Sequence, residues 1–192
     1  MKLMEMLMVG ALVAVPVAQA DTYEIDASHS GLGFATKHMV ISTVRGSFEE
    51  FTGSFEYDGK DAASLKASAT IKTASIGTKN AKRDDHLRSP DFFDATQFPE
   101  ITFVSTRTEA TADGAILHGN LTMRGVTKEI ALPVVISGPV TDPWGKSRVG
   151  LEGKAKINRK DWGINWSKSM DNGGLVVSDD VTLEIAVEGI KK

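Results

Sequence analysis

The chain has no cysteine, which removes disulfides, thiolate nucleophiles and sulfur-ligated metals at once. It has no excess of basic charge: 22 Lys and Arg stand against 25 Asp and Glu, for a formal net charge of −3. No basic face is implied, so nucleic acid is not an expected partner. No apolar run reaches the roughly 20 residues that a membrane-spanning helix needs. The histidines are scattered: His29 and His38 fall on the first long hairpin and His118 on the outward phase of a strand, with no H-x-x-x-H spacing to suggest zinc. Gly31-Leu32-Gly33 and Asn172-Gly173-Gly174 lack the following helix and the lysine of a phosphate cradle, and read as turns and close packing.

What is present begins with a leader. In MKLMEMLMVGALVAVPVAQA, Lys2 precedes an apolar run from Met6 to Val15, then Pro16, then Ala18-Gln19-Ala20 with small residues where a signal peptidase reads. Glu5 is an unusual acid for the basic region. Residues 1–20 are therefore expected to be a cleavable signal peptide, and the mature chain to begin near Asp21. Residues 21–192 suit a single domain with one core.

Beyond the leader the hydrophobic period is two. Val181, Leu183, Ile185 and Val187 alternate with Thr182, Glu184, Ala186 and Glu188; Ile130, Leu132, Val134 and Ile136 repeat the device. So do Val149, Leu151, Gly153, Ala155 and Ile157, then Leu65, Ala67, Ala69 and Ile71, then Leu117, Gly119, Leu121 and Met123. Strands this numerous, joined by turns such as Asp58-Gly59 and Asp113-Gly114, predict an antiparallel sheet that closes on itself. Phe48 has the opposite parity to Phe51, Phe55 and Tyr57, so a bulge near Glu49-Glu50 is expected to bring them to one face. The inward phases hold small residues: Ala67, Ala69, Gly119, Gly153 and Ala155. A barrel of about eight strands is just wide enough to be filled by side chains or to hold one small ligand. Small inward residues favour a lumen, while interdigitation with large residues on facing strands is the alternative.

Positions 78–97 break the strand rhythm. Thr78 or Asn80 caps a short helix through Leu87, Ser89-Pro90-Asp91 is a second helix-start signal, and Pro99 forces an extended restart. The segment reads as a helical excursion over one end of the barrel, with Leu87, Phe92 and Phe93 turned inward. Asp84-Asp85-His86 has the vocabulary of an active site, but adjacent helical residues do not face each other and Ser89, the nearest serine, reads as a cap. Arg83, Asp84 and Asp85 are expected to tie the excursion to the barrel rim, with a headgroup-contacting role for Arg83 or His86 as the alternative. Two tryptophans, Trp162 and Trp166, and Met170 mark a loop at the rim, read as mouth or as ordinary packing.

These motifs resemble the YceI-like family of exported polyisoprenoid-binding proteins. The resemblance runs in order through IDASHS (25–30), Phe34, KHM (37–39), RGSF (45–48), ASIGT (74–78), RDDHLRS (83–89), FFD (92–94), FPEITF (98–103), GNLTMRGVTK (119–128) and RKDWGI (159–164). Trp162 stands where a smaller aromatic is usual. The resemblance implies a lipocalin-like, closed antiparallel barrel whose apolar tunnel holds an isoprenoid chain, such as a polyprenyl or quinone tail. The implied protein is a periplasmic carrier or sequestering protein, with no catalytic residue to transfer, no metal, and no cofactor beyond the lipid. Its expected lining is Phe34, Phe48, Phe51, Phe55, Ala67, Ala69, Leu87, Phe92, Phe93, Phe103, Leu121, Met123, Gly153 and Ala155. Transient membrane contact and a homodimer are compatible with this reading. Two rivals stand beside it: a lipid-modifying hydrolase or isomerase using Asp84, Asp85 and His86, and a ligand-free structural or stress-protective barrel.

Overall fold

The computed structural model describes residues 20–169 and 175–192. The expected signal peptide up to residue 19, Met170 and Asn172-Gly173-Gly174 lie outside the described residues. The strands are β1 (Asp21–Ile25), β2 (Gly31–His38), β3 (Ser42–Phe48), β4 (Phe51–Tyr57), β5 (Lys66–Lys72), β6 (Ile76–Gly77), β7 (Glu100–Thr111), β8 (Gly114–Met123), β9 (Val126–Thr141), β10 (Ser147–Asn158) and β11 (Val177–Lys191). One helix, α1 (Ala81–Arg88), interrupts them. Strands β1, β4, β5, β7, β8, β9, β10 and β11 pair in that order, and β11 pairs back onto β1, closing an eight-stranded antiparallel ring. Closure leaves no bare edge around this part of the molecule.

Three of the strand runs are split at one level. A 3-10 turn at Ala27–His29 separates β1 from β2, Glu49-Glu50 separates β3 from β4, and a 3-10 turn at Thr73–Ser75 separates β5 from β6. The last two breaks lie side by side, since Glu49 N donates to Ser75 O at 3.2 Å and Lys72 N to Glu50 O at 2.9 Å. The irregularity that the parity of Phe48 demanded is thus a full break, at which the chain changes partners: β3 pairs with β2 and β6, β4 with β1 and β5. Above this fault β11, β2, β3 and β6 continue as a flared wall. Among the described residues β6 has no strand beyond it. Helix α1 and the turns of residues 89–99 stand there instead.

The alternation in each strand does what its period requires. Leu117, Leu121 and Met123 are buried on β8, as are Val149, Leu151, Ala155 and Ile157 on β10. The turns follow local chemistry. Asp58 Oδ1 accepts from Lys60 N at 2.9 Å and Asp61 N at 2.8 Å, and Gly59 takes φ +80°. Arg124 and Gly125 both have positive φ between the paired Met123 and Val126, the two-residue hairpin geometry that suits strand twist. The end of the barrel where Asp21 meets Lys191 is filled. There the Tyr23 and Phe55 rings stack with centroids 5.2 Å apart, and Leu65 is fully buried against them in the same cluster.

Asn80, not Thr78, caps α1: its Oδ1 accepts from Arg83 N at 3.1 Å. The second start signal does not yield a helix. The Ser89 hydroxyl donates back to His86 O at 2.8 Å, ending α1 instead of opening a new one, and the chain turns through Asp94 at φ +49°. Pro99 precedes β7 as expected.

Candidate functional site

Inside the upper part of the barrel lies a cavity of about 360 Å³, within the usual range for small-ligand sites. Phe55, Leu117, Leu132, Val134, Leu151 and Val187 form its floor on top of the filled end. Val181, Leu183 and Ile185 of β11 pack against the core yet are only half-buried, because they also border the cavity. Phe34, Phe48 and Phe93 form an aromatic file along one side, with centroids 6.0 Å apart for the first pair and 5.9 Å for the second. Most polar side chains on the lining sit toward the rim: Thr36, His38, Thr78, Arg83, His86 and Arg159.

Most of the residues expected from sequence border this cavity: Phe34, Phe48, Phe55, Ala67, Ala69, Leu87, Phe92, Phe93, Phe103, Leu121 and Met123, with Arg83 and His86 at its rim. Phe51, Gly153 and Ala155 do not. Phe51 and Ala155 are buried in the packed core. A Cβ at Gly153 would come within 2.3 Å of the Pro133 carbonyl oxygen, so that glycine permits close packing of neighbouring strands. Gly119, expected to leave space, leaves none: a Cβ there would meet the Phe103 ring at 2.5 Å. The ring lies across the glycine and so stays close to the wall. Phe34 lies across Gly46 in the same way, at 2.4 Å. Glycine opposite phenylalanine therefore widens the lumen indirectly, by letting a ring lie flat.

The charged cluster on α1 is a clasp. Asp84 is 8% exposed and accepts from Thr78 N at 2.9 Å and from the Thr78 hydroxyl. Arg83 donates Nε to Thr78 Oγ1 at 2.7 Å and Nη2 to Thr78 O at 2.8 Å. Arg88 reaches back to β6, with Nε on Ala74 O at 2.8 Å and Nη2 on Ile76 O at 2.9 Å, and pairs with Asp85 at 3.1 Å. Arg124 donates to Phe92 O at 2.7 Å. Arg88 thus engages the carbonyl oxygens of the break and of β6 on the side where no strand pairs with them. His86 pairs through Nε2 with Asp91 at 2.8 Å, while Asp84 and Asp85 face Thr78 and Arg88. The carboxylate that pairs with His86 is thus Asp91, and not Asp84 or Asp85 as the acid-base reading of this cluster expected.

Sequence reading gave Arg159 no role at the rim, and of the two loop tryptophans it left open which belongs to the mouth. Arg159 is 4% exposed and donates Nε to Ser178 O, Nη1 to Ile164 O and Nη2 to Asp179 Oδ1 at 2.7 to 3.0 Å, pinning the start of the β10–β11 loop to β11. Burial pushes its pKa down, and the Asp179 carboxylate opposes that. Trp166 borders the cavity and meets His86 edge to face at 5.0 Å and Phe92 at 5.3 Å. The other loop tryptophan, Trp162, is core: it is buried, and its indole N–H donates to Leu121 O at 3.0 Å. Elsewhere, Asp26, His29 and Glu188 converge closely enough to hold a cation. Arg148 already occupies that cluster, bonded to Asp26 at 3.2 Å, to Glu188, and to Asp142 at 2.7 Å.

Residues 23–189 match the model of the YceI-like domain. A UPF0312 protein of Pseudomonas aeruginosa is 41% identical over 184 residues, covering 95% of this chain and 93% of the relative. The crystal structure of a Campylobacter jejuni YCEI protein superposes with TM-score 0.71 at 36% identity, over 81% of this chain and 90% of that one. A polyisoprenoid-binding domain from Saccharophagus degradans shares the fold at TM-score 0.67 and 15% identity, over 88% of this chain and 98% of that one. A barrel of this construction, matched along almost all of its described length, belongs to the YceI-like family.

Proposed function

We propose that this protein binds one long apolar isoprenoid lipid, a polyprenyl or quinone-type chain, with the tail in the barrel cavity and the polar end at the rim. The observation that carries this reading is the distribution of polarity. The cavity is walled by aliphatic and aromatic side chains down to a closed floor, and its charged groups are confined to the rim. An apolar tail gains about 0.8 kcal/mol for each CH₂ it withdraws from water, without any directional contact. Such a wall selects for length and apolarity, and Arg83 and His86 at the rim are the proposed contacts for a headgroup. The polyisoprenoid-binding domain with the same fold supports the ligand class.

The role is binding and release, as an exported carrier or sequestering protein of the periplasm, with residues 1–20 removed before Asp21. Protein purified from periplasmic extract without detergent should begin near Asp21 by N-terminal sequencing. In native mass spectrometry it should carry an extractable apolar lipid, and after delipidation it should take up a polyprenol or a long-tailed quinone at equimolar ratio. Delipidated protein that takes up neither would refute the reading.

A further inference from the structure

The β2–β3 hairpin ends in a turn that is costly in water. His38 O accepts from Ile41 N at 3.2 Å, and the two residues between, Met39 and Val40, have φ of +52° and +66°. Turns of this kind favour Asn and Gly, and a β-branched residue at positive φ is a genuine outlier. Met39, Val40 and Ile41 are also exposed, at 40%, 68% and 85%. Backbone strain and three consecutive apolar side chains in water thus coincide at one tip. Its location gives the coincidence meaning. Thr36, His38 and Val44 of the same hairpin border the cavity, and Met39 N donates to Val176 O at 2.9 Å, bracing the tip against the start of the neighbouring β11. Lys37, on the hairpin, and Lys79 and Lys82, which follow the rim residue Thr78, are exposed.

We infer that the Met39-Val40-Ile41 tip is a membrane finger, which inserts into the headgroup region of a bilayer bearing anionic phospholipid and sets the cavity mouth against the membrane surface. The three side chains supply apolar area to bury, and the lysines supply attraction to anionic headgroups. The inference rests on the lipid-binding reading for its purpose, but not for its physics. Trp144 is equally exposed, at 81%, on the β9–β10 turn. That turn is at the filled end, where docking would bring no opening to the lipid, and it serves as the control.

The experiment is sedimentation with vesicles of phosphatidylethanolamine and phosphatidylglycerol, against pure phosphatidylcholine, run beside uptake of detergent-solubilised polyprenol. The wild type should bind the anionic vesicles, more weakly as salt rises. Ile41→Asp should lower that binding by about tenfold or more and leave polyprenol uptake unchanged. Val40→Asn should raise the thermal midpoint by relieving the turn while weakening vesicle binding, so loss of binding is separable from misfolding. Trp144→Ala should change neither measurement. Equal vesicle binding by Ile41→Asp and the wild type overturns the finger, as does absence of wild-type binding or dependence on Trp144. A shift from dimer to monomer on Ile41→Asp with vesicle binding unchanged overturns it in favour of a second copy of the chain. Failure to take up polyprenol, with finger-dependent vesicle binding retained, refutes the proposed function and not the finger.

Discussion

The two ends of the barrel share the long strands β7 to β11 and the same alternation, yet one is a packed core and the other a lined cavity. At the filled end, rings stack on rings and every wall is closed by backbone pairing. At the open end the wall flares, three strand runs have broken, and inward residues such as Leu183 and Ile185 are half-buried. The difference lies in where the ring is closed and which groups close it, since apolar residues face inward at both ends.

The largest test of this contrast is to remove a phenylalanine from each end. Phe55→Ala, in the stacked floor, should cost about 3 to 5 kcal/mol, whereas Phe48→Ala, on the cavity wall, should cost roughly half as much or less, because fewer neighbours lose contact. Urea denaturation of delipidated protein measures both, and equal losses would abolish the contrast. Delipidation is essential because bound ligand raises apparent stability.

A finer test uses two alanines that the strand period treats alike. Ala69 borders the cavity and Ala155 lies in the packed wall. Ala155→Leu should therefore destabilise the lipid-free protein by about 1 to 3 kcal/mol. Ala69→Leu should leave its midpoint nearly unchanged and shorten the longest polyprenol the protein retains. Destabilisation by Ala69→Leu with uptake intact would move the cavity elsewhere.

That pair also shows how far the sequence was legible. Period two names the inward face, and turn chemistry at Asp58-Gly59 places a strand end. Neither says whether an inward alanine faces a partner side chain or a lumen, because that depends on strands distant in sequence. Gly119 and Gly153 mislead for the same reason: their small size is used by the Phe103 ring and by the Pro133 backbone. Arg159 carried no signal of its own, since its three acceptors come from a loop and strand five to twenty residues away. Ser89-Pro90-Asp91 satisfied a rule for starting helices, but its hydroxyl was taken by the helix just ended.

The smallest effect concerns pH. The Ser28 hydroxyl, with His29 and Arg148 beside it, holds the Asp26 carboxyl far below the usual carboxylate range, and Arg148 also lowers that of Asp142. A carboxylate depressed on folding adds stability that is complete above its unfolded pKa, near 4, and is lost as pH falls through its folded value. The thermal midpoint should therefore be level from neutral pH to about 5 and decline below about 4. Asp26→Asn should lower the neutral-pH midpoint by no more than about 2 to 4 °C and flatten the acid decline. This cluster belongs to the filled side of the fault, so lipid uptake should not follow it.

The fault itself has a mechanical consequence. Below it, opening the wall means breaking a ladder of amide bonds in concert; above it, the gap beside β6 is bridged by guanidinium groups on carbonyl oxygens, chiefly Arg88 on Ala74 and Ile76. Side-chain bridges can release singly, by rotation, without unpairing any strand. The molecule is thus a stiff cup with a hinged panel, and its slowest and fastest amide protons should divide along that seam. Tyr23 and its partners on β4 would exchange with whole-molecule unfolding, while the first turn of α1 would exchange by local opening. On the proposed lipid-binding reading, a panel that opens while the cup stays shut would give a long chain a sideways entry, at an energy set by a few arginines and not by the stability of the fold.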